Sequence, residues 1–336
     1  MKLSEAIEEF LASRSLRSPE TLRTYEERLG LLSRYAGTDA TVETVMTAAW
    51  WRKFFVYLQQ EHKNRRTGKA LSPVTIDDAR RSANALANFL VTEGRISQNP
   101  LTKVKLNALP PRPVPALSYE DARKVADFWT PHDTPEGYST KALGKDRARF
   151  LAVRNRAVIK LLLDSALRLR ELTGLNVDSV LWEERRVTLL RTKNWQPRTV
   201  PFSQETARAL RVYREERTKW FEGKILTDEE GEPFFLTFEG ARLTKRAVHV
   251  ITSRIKRDLG LKKFHPHVCR HTSLTLARRN GLDLFQLQAF SGHRNLNSLR
   301  AYQQVTDEEL SAAHDRASPL NGSPSSLRAN QNRRRE

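Results

Sequence analysis

The chain has 336 residues, 39% of them hydrophobic and 29% charged, enough for two domains with separate cores. Its 58 lysines and arginines against 39 acidic residues give a formal charge of +19, which points to a polyanionic partner, nucleic acid before a membrane surface. No run approaches the ~18 apolar residues of a membrane span, Met1 to Phe10 lacks the apolar core of a secretion signal, and Cys269 is the single cysteine, so an intrachain disulfide is excluded and a reducing cytoplasm is expected.

The first hundred residues read as helices. Leu3, Ile7, Phe10 and Leu11 recur at helical spacing, as do Leu22, Tyr25, Leu29 and Leu32, and then Trp51, Phe54, Phe55 and Leu58. A fourth helix is punctuated by Ser72 as cap, Pro73 in its first turn and Gly94 at its end. Ile76, Ala79, Ala83, Leu86 and Leu90 form its apolar stripe, and four such helices predict a small bundle over residues 1–106. Pro110, Pro111, Pro113 and Pro115 mark an extended linker over 107–116.

A second domain is expected over 117–317. Ser118 is placed to cap a helix holding Ala122, Val125, Ala126 and Phe128, and Thr130 to Asp146 reads as a long polar loop. Arg154 to Leu172 reads as one helix with Val158, Leu161, Leu162 and Ala166 inward. Val187–Leu190 and Thr199–Phe202 predict paired strands about a turn at Asn194 to Pro197. Helices follow at Gln204–Trp220, Lys245–Leu259, Pro266–Arg279 and Leu284–Phe290, with Gly260 and Gly281 at cap positions. Residues 318–336, rich in Ser, Asn and Arg, read as a disordered basic tail. The fold class is therefore mainly α with a small antiparallel sheet (α+β).

Several charged and aromatic residues admit two readings. Arg168 and Glu171, three apart, form either a surface ion pair or an anion grip with its orienting carboxylate, and Arg170 competes with Arg168 for the role. His267 and Arg270 stand one helical turn apart, where imidazole can exchange a proton and guanidinium can hold two oxygens. His265 and His271 read as structural histidines. A metal site with His267 is disfavoured, because the helix carries no acidic ligand beside them and Cys269 points to another face. His293 after Gly292 is an ordinary helix-end histidine on its own, Tyr302 an ordinary core aromatic, and Lys193 an ordinary loop lysine.

Order and spacing change that balance. Ser165 to Leu172, the box His267-Val268-Cys269-Arg270-His271-Thr272, and Ser291-Gly292-His293 nine residues before Tyr302 together resemble the tyrosine recombinases, also called the phage integrase family, in Xer-like form. Lys193, seven residues before Val200 in the run Arg198-Thr199-Val200-Pro201, fits the family's hairpin lysine. The resemblance implies a helical core-binding domain followed by a catalytic domain. It also implies a site-specific enzyme that cuts and rejoins duplex DNA through a 3′-phosphotyrosine, for integration, excision or dimer resolution. Its nucleophile would be Tyr302, with Arg168, Arg270 and His293 on the phosphate, His267 exchanging a proton with the tyrosine oxygen, Lys193 protonating the leaving 5′ oxygen and Glu171 in support. No cofactor or metal is implied. The expected assembly is a homo- or hetero-tetramer on two DNA sites. A type IB topoisomerase and a non-catalytic DNA-binding protein are the rival readings. Ala166, Cys269 and Ser291 depart from the family's usual glycine, leucine and leucine, which leads us to expect packing adjustments only. The surrounding cations are expected to favour the Tyr302 phenolate, against an ordinary ionisation near pH ~10.

Overall fold

A computed structural model describes residues 1–64, 67–105, 114–129, 144–189, 197–293, 295–302, 310–311, 314–315 and 318. The chain divides into two compact units, Met1–Pro111 and Arg112–Glu336. Among the described residues no helix is long and apolar enough to cross a membrane.

The first unit is helical. Its elements are α1 (Leu3–Ser13), α2 (Pro19–Ala36), the single turn α3 (Val42–Val45), α4 (Ala48–Gln60) and α5 (Pro73–Thr92), then a 3-10 turn at Pro100–Lys103. Short polar side chains start them. Ser18, Thr41, Thr47 and Ser72 each accept from a backbone N–H in the first turn. The predicted stripe of α5 is fully buried, and so are Trp51, Phe54, Phe55 and Leu58 of α4. Each such large side chain contributes roughly 1.5–3 kcal/mol by leaving water.

The second unit is built around α7 (Lys145–Ser165), preceded by α6 (Tyr119–Ala126) and followed by the short α8 (Leu169–Thr173). Burial on every side of α7 marks it as the central helix. It packs against α9 (Gln204–Trp220) and α11 (Pro266–Arg279); α10 (Lys245–Asp258) and α12 (Leu284–Ser291) complete the set. Buried Lys160 of α7 is neutralised by Asp127 at 2.8 Å and by Glu205 of α9. A three-stranded antiparallel meander, β1 (Val180–Leu181), β2 (Arg186–Leu189) and β3 (Arg198–Pro201), lies beside this core. The register pairs Val187 with Val200 and Leu189 with Arg198. Strand alternation puts Arg198 on the inward face with Val200.

The structure corrects three expectations. The loop expected through Asp146 ends sooner, because α7 already begins at Lys145; residues 130–143 lie outside the described set. Phe128 follows α6 and is not part of it. The single helix expected from Arg154 to Leu172 is two helices. The chain turns at Ala166, which adopts φ 49° and ψ 28°, the left-handed geometry usual for glycine at a helix end. Arg168 is then extended at φ −73°, ψ 150°, and caps α8 instead of lying within a helix. The expected turn at Asn194–Pro197 lies outside the described residues except for Pro197, as does the tail beyond Ser318.

Candidate active site

The break at Ala166 builds the site. Turning there lets Arg168 start a new helix, where its backbone N–H donates to Glu171 Oε2 at 2.8 Å. Arg168 Nη1 also donates to Glu171 Oε1 at 2.9 Å, and its Nη2 to the Gly292 carbonyl at 3.2 Å. Glu171 is 5% exposed, so the pair is no surface ion pair. Arg198 grips the same carboxylate with both terminal nitrogens, each at 2.8 Å. Burial alone would raise the Glu171 pKa, but Arg198, and after it Arg168, hold it below the ordinary range. The site thus includes a second arginine on Glu171. Reading the sequence used Arg198 only as a landmark of the hairpin; its inward strand position was the signal available.

Arg270, 2% exposed, projects from α11 into a socket of backbone oxygens. It donates to the Ala166 carbonyl and, at 2.7 Å, to the Ser291 carbonyl, with His293 Nε2 at 3.4 Å. Burial, then the charge of Arg168, lowers its pKa to about 10, which leaves it cationic at neutral pH. Three guanidinium groups around one carboxylate leave surplus positive charge in a partly closed pocket. Such a pocket suits a phosphodiester.

His293 follows Gly292, which is left-handed at φ 65° and has no room for a side chain: a Cβ there would sit 2.8 Å from the Arg198 guanidinium. His293 Nδ1 lies 2.7 Å from the Ser291 hydroxyl, which itself donates to the Gln288 carbonyl at 3.3 Å. The imidazole therefore donates from Nδ1, and its Nε2 faces Arg270. Burial, followed by Arg270, Arg168 and Arg198, lowers its pKa to about 4. Ser291 is accordingly more than the packing adjustment expected of it. Ser291→Ala removes both hydrogen bonds, of which the one that orients His293 is worth about 1 kcal/mol. Any reaction that relies on the orientation of His293 is expected to slow roughly fivefold to tenfold, as single-turnover rates would report.

Tyr302 closes a 3-10 turn at Leu296–Tyr302 and is 9% exposed among Ala166, Leu274, Leu287 and Leu299. Burial raises its pKa, and the charge of Arg270 offsets this only partly. The expectation that cations would favour the phenolate is thereby corrected: desolvation outweighs Arg270, and the phenol keeps its proton. The tyrosine oxygen lies 2.5 Å from His271 Nδ1. His271, read from sequence as structural, is thus the histidine found at this oxygen among the described residues. His267 stands one turn earlier on α11, exposed, with its ring centroid 4.3 Å from that of His271. The pocket wall and then Arg270 push its pKa down. The structure therefore brings together Arg168, Glu171, Arg270 and His293, and sets Tyr302 against His271 beside them. Lys193 lies outside the described residues. Among those residues no group of His, Cys, Asp or Glu is arranged to hold a metal ion.

Comparison with known proteins accounts for this set. The phage integrase family matches residues 141–309. The chain belongs to that family. A tyrosine recombinase XerC of Chromohalobacter salexigens is 29% identical over 94% of this chain and 95% of its own length. A XerC of Chlorobaculum tepidum is 31% identical over 74% of each chain. Among solved structures, the Tn1549 transposon integrase in complex with transposon right end DNA has a TM-score of 0.71 at 18% identity, covering 95% of this chain and 100% of the other. The XerH site-specific recombinase bound to difH substrate has a TM-score of 0.65 at 20% identity, covering 92% and 82%. The fold is that of these recombinases, mostly helical with a small antiparallel sheet. Membership makes the chain a tyrosine recombinase, a site-specific DNA strand-breaking and rejoining enzyme; the topoisomerase and non-catalytic readings are not favoured.

Proposed function

We propose that Tyr302 attacks a phosphodiester of duplex DNA and holds the cut strand as a 3′-phosphotyrosine until a 5′-hydroxyl from another strand displaces it. The observation that carries this reading is the convergence of Arg168, Arg270 and His293 beside a buried tyrosine hydroxyl. Arg168 and Arg270 hold the phosphate oxygens and stabilise the charge that builds in the pentavalent transition state. The exposed His267 hydrogen-bonds to the same oxygens, and so does His293 when the phosphate's charge draws a proton onto its Nε2. Glu171, gripped by Arg198, fixes the direction of Arg168. Lys193 delivers a proton to the leaving 5′ oxygen.

In this reading residues 1–106, the helical part, and residues 117–317 each hold the duplex, with 107–116 as linker and 318–336 as basic tail. Four copies act on two sites, and the exposed Leu310 docks on a neighbouring copy. The work is done in the cytoplasm, where Cys269 stays reduced. Phosphate contacts dominate affinity, so binding is expected to weaken steeply with salt. For six to ten neutralised phosphates the loss is about 10³–10⁵ between 50 and 200 mM salt, and a flat dependence in gel-shift titrations would count against a phosphate-tracking surface. The decisive experiment is to recover protein–DNA adducts from cells of the source organism and sequence the attached DNA. A recurrent short sequence bonded at Tyr302 is the expected result; its absence defeats the reading.

A further inference from the structure

The histidine that meets Tyr302 is not the exposed His267. We infer that His271 is the immediate proton partner of Tyr302, taking the phenol proton at Nδ1 during attack and returning it when the strand is rejoined. This rests on the reading of Tyr302 as nucleophile and deepens it.

Three neighbours on α11 divide the work by direction. His267 is exposed. Arg270 is buried among the carbonyls of Ala166 and Ser291. His271, half-buried, turns Nδ1 onto the tyrosine oxygen at 2.5 Å. A nucleophile hydroxyl within hydrogen-bond reach of an imidazole nitrogen is the arrangement that activates hydroxyl nucleophiles. The His267 ring packs edge-on against that imidazole, with centroids 4.3 Å apart.

Protonation states agree with that geometry. The charged and titratable groups facing His271 are His265 at the cap of its helix, His267 and Arg270 within it, His293 after α12, and Tyr302. Burial first, and then His267 and Arg270, lower its pKa to about 4, so the ring is neutral at pH 7. Tyr302 keeps its proton, its own pKa raised by burial. The proposed transfer has the phenol donate and Nδ1 accept, with the ring hydrogen on Nε2. A bound phosphodiester brings negative charge beside Arg270 and offsets the cations that weaken this base. His271 thus gains basicity when substrate is present.

The step balances. The Tyr302 Oη–P bond forms and the P–O5′ bond breaks, its electron pair leaving on O5′, which takes a proton from Lys193. The phenol proton passes to His271 Nδ1. On rejoining, the 5′-hydroxyl returns its proton to Lys193 as O5′ attacks phosphorus. The Oη–P bond breaks, and Nδ1 hands its proton back to Oη.

The test uses the full chain on a nicked duplex carrying the sequence recovered from the adducts. His271→Ala and His271→Asn are expected to bind it like wild type and to form adduct about 10²–10³-fold more slowly. Asparagine offers an oxygen near the Nδ1 position yet takes no proton, so its failure separates proton transfer from mere holding. With sulfur replacing the bridging 5′ oxygen, the leaving group departs without a proton. Lys193→Ala is then expected to recover, while His271→Asn stays slow. Adduct formation by His271→Asn at the wild-type rate, or its recovery on the sulfur duplex, overturns the proposal. A wild-type chain that forms no adduct overturns Tyr302 as nucleophile and this proposal with it, a result distinct from the first. Nitrogen-15 spectra of the free protein provide a check without DNA: His271 Nδ1 is expected to lack a hydrogen and to shift in Tyr302→Phe. A protonated Nδ1 at pH 7 also overturns the proposal.

Discussion

The Tyr302→Phe chain is expected to bind its DNA site with unchanged affinity and to form no covalent adduct at all. Phenylalanine keeps the ring that packs among Ala166, Leu274, Leu287 and Leu299, and removes only the oxygen on His271. Deleting this hydroxyl costs one hydrogen bond, roughly 0.5–1.5 kcal/mol of stability. The chemical loss is complete, because no neighbouring group in the described site offers an equivalent oxygen. A denaturing gel of the nicked-duplex reaction reads adduct, and a native gel reads binding. Adduct at the wild-type rate would show that another residue attacks.

The largest effect on folding is expected from Glu171→Ala. One buried carboxylate holds Arg168 through two hydrogen bonds and Arg198 through two more. Removing it leaves guanidinium groups facing each other beside Arg270. Breaking a buried pair costs about 3–5 kcal/mol. Arg168 and Arg198 keep 26% and 15% of their side chains in water, which favours the lower end. A loss near 3 kcal/mol corresponds to roughly 6–12 °C in melting temperature for a unit of this size. Cleavage should fall as well, since Arg168 loses its direction. The pH dependence has a definite sign. The folded-state pKa of Glu171 is depressed, so its contribution is fully present above the unfolded glutamate value near ~4.3 and is lost as pH falls through the lower folded value. Glu171→Gln should therefore flatten the acid side of the stability curve, and acid melts would detect an unchanged slope if the carboxylate carried no such role.

Much of this was legible in the sequence because local chemistry sets it. The bounds of Gln204–Trp220 and Pro266–Arg279 are reproduced residue for residue, each opening at a strong start signal: Ser203 as cap in one, Pro266 in the first turn of the other. The hairpin strands differ by a single residue from expectation. What escaped is tertiary. Alanine is the strongest helix former, so Ala166 disguised a chain reversal that local propensity opposes. A left-handed alanine costs about 1–2 kcal/mol, and only the surrounding core and the arginine on its carbonyl sustain it. The partners of Glu171 and Tyr302 escaped for a related reason. Arg198 lies 27 residues from Glu171, and His271 lies 31 from Tyr302, separations at which no periodicity speaks. Spacing found the boxes; it did not say which members touch.

The oxygens that seat Arg270 belong to the main chain of Ala166 and Ser291. Peptide carbonyls are the same whatever side chain they carry. A change of side chain at either position leaves that grip on the guanidinium in place. They are also two of the three positions read in the sequence as departures from the family's usual residues. A clamp anchored in this way holds Arg270 independently of the side chains beside it.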